Sequence, residues 1–182
     1  MRILLSAICL SIPLAVNACP DGPDHTEQLE ALFESARMAP NERVAEEFSQ
    51  QMWELWTEAP DATAQALLDR GMEKRAGFDF LGAIEALSEL VDYCPTYAEG
   101  WNQRAFVHFL RQDFSAARDD LAQARALNPR HVGVLTGQGL TFLALGQEAE
   151  AQDALAAAVE LNPWVQERHL LRAPHPKPGE DL

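Results

Sequence analysis

The chain has 182 residues carrying 28 acidic and 14 basic side chains, a formal net charge of -14. Its length suits one or at most two modest domains, and a hydrophobic content of 47% is too high for general disorder. The acidic balance leaves no basic footprint for neutralising phosphates, which excludes nucleic acid as a partner.

The first segment reads as an address. Met1 and Arg2 precede an uncharged, largely apolar run from Ile3 to Val16, and Val16-Asn17-Ala18 precedes Cys19. One positive charge, an apolar stretch of about 14 residues and small residues before the cut make 1–18 a secretory signal peptide, while about 20 residues are needed to span a bilayer. Removing Arg2 leaves 13 basic against 28 acidic side chains, a net charge of -15. It also removes Cys9 and leaves Cys19 and Cys94. In an oxidising compartment such a pair forms a disulfide, whose long loop would stabilise by roughly 4 kcal/mol. Two alternatives stand beside it. Val16-Asn17-Ala18-Cys19 resembles a lipobox, with Asn17 and Pro20 as departures, so Cys19 could carry the only membrane attachment; or the two thiols are free. The short leader, the two lysines and the alanine-rich style point to a bacterial periplasm.

Next come two amphipathic helices, 24–38 and 41–58, divided by Ala39-Pro40-Asn41. Leu29, Leu32, Phe33 and Ala36 form one stripe, and Val44, Phe48, Met52, Leu55 and Trp56 the other, both at helical spacing.

From residue 64 the chain repeats. Pro95, Pro129 and Pro163 recur every 34 residues. Ala83, Ala117 and Ala151 stand twelve residues before them, and Leu87, Leu121 and Leu155 eight before. Gly71, Ala105 and Gly139 recur where helices must approach closely, and Leu67, Trp101 and Leu135 supply large plugs. Leu90, Ala124 and Ala158 complete the pattern. Gly77-Phe78-Asp79 and Arg111-Gln112-Asp113 each give a break and then an Asp placed to cap a second helix. Each Pro stops that helix, because the residue before Pro avoids the helical region.

These residues resemble the tetratricopeptide repeat, a 34-residue helix-turn-helix unit, in copies 64–97, 98–131 and 132–165. The resemblance implies an all-α, right-handed superhelix without strands. Arg70, Arg104 and Gln138 depart from it at a usually apolar position, as do Lys74 and His108 at a commonly aromatic one, which suggests looser packing. A solenoid must cover its first apolar face, so 19–63 is expected to be a degenerate repeat capping the N-terminal end. Residues 166–172 are expected to form a short C-terminal capping helix, and the Pro-rich 173–182 a disordered tail.

Catalytic constellations are lacking. His25, His108, His131, His169 and His175 have no metal-site spacing, and Cys94 has no nearby Cys. The expectation is a non-enzyme without metal, cofactor or small-molecule substrate; His108, on an apolar helix face, is the residual candidate base. Glu46-Glu47 and Asp119-Asp120 read as solvated, since adjacent residues point to different sides of a helix. Residues 19–99 hold 18 acidic and 5 basic side chains against 10 and 8 in 100–182, so a basic partner would be steered to the N-terminal half.

By resemblance, first helices line a concave groove that binds a peptide or partner helix. The register puts Leu68, Met72 and Arg75 of the first copy there, with Asn102, Phe106 and Phe109 of the second and Thr136, Leu140 and Leu143 of the third. Gly133 and Gly137 would leave its floor open. One class of relatives clamps a chaperone's C-terminal carboxylate with Lys, Asn, Asn, Lys and Arg; here those positions hold Leu68, Met72, Gln103, Gly133 and Gly137, none cationic. The sequence therefore reads as a monomeric, exported interaction adaptor for an unidentified protein. The alternative is a structural subunit of an envelope assembly, held by its acidic N-terminal or convex face.

Overall fold

The computed structural model describes residues 19–172; the expected leader and tail lie outside them. Within that span eight helices run α1 Thr26–Met38, α2 Glu42–Trp56, α3 Ala62–Ala76, α4 Phe80–Tyr93, α5 Ala98–Leu110, α6 Phe114–Leu127, α7 Val132–Ala144 and α8 Glu148–Leu161, followed by a 3-10 turn, Gln166–Leu170. No strand occurs among the described residues. The expected C-terminal capping helix is this single 3-10 turn.

Helices α3 and α4, α5 and α6, and α7 and α8 pack as pairs, and α4 against α5 and α6 against α7 join the pairs. The recurring small residues explain the closeness. A Cβ at Gly71 would lie 2.6 Å from Leu87, and one at Gly139 would lie 2.5 Å from Leu155, so a larger side chain would force each pair apart. The expected caps form: Asp79 accepts the Gly82 N–H at 3.0 Å and Asp113 the Ala116 N–H at 3.3 Å. Each first helix closes with the same left-handed residue, Phe78, Gln112 and Gly146, at φ of 62°, 62° and 72°. The following N–H then reaches back to Lys74, His108 or Phe142 across the helix end.

The polar residues at the usually apolar position do not loosen the packing. Arg104 grips Asp120 through two hydrogen bonds of 2.7 and 2.8 Å, and Gln138 accepts from Arg125 at 2.9 Å. Asp120, expected in solvent, is therefore a buried partner of the neighbouring helix.

The helical hairpin α1–α2 also departs from expectation. It does not stack on the first repeat. Phe33, Ala36 and Met52 share one apolar cluster with Val132, Leu135, Ala158, Leu161 and Val165 of the last repeat. From its C-terminal end backwards, α2 first takes the Tyr97 hydroxyl on the Trp56 carbonyl at 2.8 Å. Next Ser49 receives the Asn162 amide at 3.0 Å, and at the helix start Glu42 pairs with Arg168 at 3.1 Å. The hairpin thus runs along the array's edge as a clasp from first repeat to final turn. The five-residue link 57–61 permits this: it leaves α2 antiparallel to the stacking direction rather than beside α3. The first repeat ends instead in ion pairs, Arg70 with Glu89 and Lys74 with Asp79.

Met52→Ala is expected to cost about 2–5 kcal/mol in urea unfolding. Hydrogen–deuterium exchange should accelerate at the C-terminal end of α8 while α3 keeps its protection.

Candidate functional site: the concave groove and its buried polar network

Three first helices, α3, α5 and α7, supply the floor of one groove. Its cavity holds about 270 Å³ and is lined by Arg75, Asn102, Phe106, Phe109, Thr136 and Leu140, six of the nine residues expected from register. Phe106 is 45% exposed, unusual for so large an apolar side chain. Gly133 and Gly137 form the floor as expected; a Cβ at Gly137 would press to 3.2 Å from Leu121. The other three residues fall elsewhere. Leu68 is fully buried in the first repeat's core, Met72 packs against that core, and Leu143 lies outside the cavity lining. A helical register fixes direction to within a turn, and Leu68 turns inward toward Leu87 rather than outward.

Residues outside the register complete the wall. Trp53 of α2 and Glu167 of the 3-10 turn line the same cavity, so the clasp closes one side of the groove.

Below the groove lies a polar network centred on Glu99, which is 1% exposed. Its carboxylate accepts from Gln103 Nε2 at 2.5 Å, from Asn102 Nδ2 at 2.9 Å and from His131 Nε2 at 2.8 Å. His131, also 1% exposed, uses Nδ1 to accept the Val134 N–H at 3.3 Å and so caps α7. With Nδ1 accepting the Val134 N–H, Nε2 is the ring nitrogen that donates to the carboxylate. Trp56 stacks on that ring with centroids 3.9 Å apart. On the other side Arg75 donates to Gln103 Oε1 and lies 4.9 Å over the Phe106 ring. Burial pushes the Arg75 guanidinium below its ordinary value, and the Glu99 charge pulls it back. Three donors and one cation connected through Gln103 thus compensate the buried carboxylate.

His108 sits apart from this network. Its Nδ1 is 3.8 Å from Asp113 and its Nε2 3.9 Å from Asp120. Burial pushes its titration down, against the pull of both carboxylates. Asp120 is already committed to Arg104, and the buried His108 Nδ1 has no hydrogen-bond partner among the described residues. Cys19 and Cys94 meet at the first repeat with Cα atoms 5.1 Å apart and sulfurs within bonding reach. No group of three His, Cys, Asp or Glu side chains able to hold a metal occurs among the described residues. No described helix is long and apolar enough to cross a membrane.

The paired helices, their left-handed turns and the 34-residue period give the described residues the fold of tetratricopeptide-repeat domains. No family model matches the chain. It is 25% identical over 114 residues to a TPR repeat-containing protein of Rhizobium etli, covering 61% of this chain and 54% of that one. It is 37% identical over 62 residues to a tetratricopeptide repeat protein 36 homolog of Nematostella vectensis, covering 34% of each. This chain therefore spans about half or less of the curated relatives it matches. Among solved structures, the first TPR of Spaghetti (RPAP3) bound to the HSP90 peptide SRMEEVD superposes with a TM-score of 0.58 at 24% identity, covering 59% of this chain and 86% of that one.

Replacing His131 with Ala removes one donor from the buried Glu99 carboxylate. His131→Ala should lose about 3 kcal/mol at pH 7. Adding Glu99→Gln in that background should recover at least about 1 kcal/mol, both read from urea midpoints.

Proposed function

We propose that this protein is an exported, non-enzymatic adaptor that binds a segment of a partner protein in its concave groove. The observation that carries the reading is the half-exposed Phe106, set over a glycine floor in a cavity walled by Phe109 and Leu140. An exposed aromatic beside an open cavity on a rigid helical frame is what a peptide anchor requires. The complex of the Spaghetti domain with a peptide shows that a similar fold accommodates such a ligand. The positions matching the carboxylate-binding class lack cations here, so the partner is recognised along its side chains. Export follows from the leader read in residues 1–18, and the bacterial periplasm is the compartment that suits it. There Cys19 and Cys94 would be joined as a disulfide, in place of an acylated Cys19 or two free thiols.

A second reading rests on a different surface. Phe78 is 82% exposed and held at positive φ, with Leu81 also exposed beside it. A subunit fixed in an envelope assembly would bury such a turn, with the acidic N-terminal half steering the contact.

The test is a cross-linked capture from the exporting cell with wild type and Phe106→Ala/Leu140→Ala. The double variant should keep its helical circular dichroism and lose the captured protein. Partners retained by the variant but lost on Phe78→Ser/Leu81→Ser would favour the assembly subunit. Intact mass of the exported protein should rise by about 2 Da on reduction; an increment of lipid size would assign Cys19 to acylation.

A further inference from the structure

The groove does not end at Gly133. A second hollow of about 220 Å³ shares Trp53, Gly133, Thr136 and Glu167 with the first and continues past them to Glu46 and Trp164. The two make one furrow with unlike ends. At one end Phe106, Phe109 and Leu140 surround the glycine floor; at the other, the carboxylates of Glu46 and Glu167 lie with the indoles of Trp53, Trp56 and Trp164. Glu46 and Trp53 are seven residues apart on α2 and so share a face two turns along. Neighbouring carboxylates are already engaged, Glu47 with Arg43 and Glu42 with Arg168. Glu46 and Glu167 have no cation within ion-pair distance among the described residues. At the apolar end Thr141 is among the lining residues, and its buried hydroxyl finds no hydrogen-bond partner among the described residues. A bound group able to hydrogen bond would satisfy it.

Building on the adaptor reading, we propose that the furrow takes an extended partner segment with an aromatic anchor and a nearby lysine or arginine. The anchor seats on Gly133 and Gly137 against Phe106 and Leu140, its polar edge near Thr141. The cation enters between Glu46 and Glu167 against the Trp53 face, where charge and ring quadrupole act together. Trp53 and Glu167 are shared, but Arg75 lines only the apolar end and Glu46 only the other, so the furrow also sets the direction of the segment. The chain's own charge of -14 favours the same partner at longer range.

The experiment is selection of a random displayed peptide library on the full exported protein, followed by titration of the winners. Peptides with an aromatic and a basic residue within about four positions should be enriched, the span an extended strand needs to reach both ends. Glu46→Gln/Glu167→Gln should weaken them about tenfold and leave an apolar control peptide unchanged. Phe106→Ala, at an exposed position that folding tolerates, should weaken both. Groove-dependent winners without basic enrichment would overturn the charge-paired furrow and keep the adaptor reading. Winners indifferent to Phe106→Ala, or no winners, would overturn both. A free protein that sediments as a dimer, and as a monomer after Phe106→Ala, would assign the furrow to a second copy and overturn the proposal.

Discussion

A single buried carboxylate ties this molecule together. Glu99 belongs to the second repeat, yet its partners reach every other part: Arg75 of the first through Gln103, the start of the third through His131, which caps α7, and Trp56 of the clasp through the imidazole. An uncompensated charge at that depth would cost several kcal/mol, so these groups must hold their places together. Apolar contacts between repeats are non-directional and specify position through shape alone. Hydrogen bonds to a buried charge are directional. The network thus fixes how far each repeat is rotated against the next, and with it the shape of the groove above.

The clasp alters what kind of solenoid this is. In an open array each repeat touches only its neighbours, and the superhelix can flex like a spring. Here α2 contacts the end of the first repeat, both ends of the third and the final turn. Changing the pitch would break the Trp56 stack or pull Ser49 from Asn162. A groove held at fixed width loses less conformational entropy on binding than one that must first close. The clasp also gives the groove a wall that no first helix supplies, and that wall carries Trp53.

The repeat architecture was legible because its causes are local. Small residues at Gly71, Ala105 and Gly139, the Asp caps and the helix-stopping prolines act within one helix pair, and each recurs at the same interval. Six groove residues followed from that register. The hairpin's position was not legible. A stripe such as Phe48, Met52 and Trp56 states that one face is buried, and says nothing of which surface buries it. Glu99 and His131 were hidden for a related reason, being 32 residues apart and almost, but not quite, at equivalent positions. A signal did exist. Tyr97, His131 and Val165 occupy one register position, and Gln65, Glu99, Gly133 and Glu167 another, so a charged residue at an inward site demanded a partner one repeat away.

That last register also explains why the groove opens where it does. At the position of Glu99 the third repeat has Gly133, and a Cβ there would come within 3.3 Å of His131 Cε1. The ring that satisfies the carboxylate thus leaves little room for a side chain at 133, and the glycine there leaves the groove floor bare. One turn on, Gly137 extends the bare floor because Leu121 occupies the space behind it. In the nascent fourth copy the same position carries Glu167, too far along to join the network and turned instead to the furrow. The cavity is thus a consequence of neutralising Glu99 rather than a gap in packing, and a side chain from a partner enters space that the protein's own electrostatics keep empty.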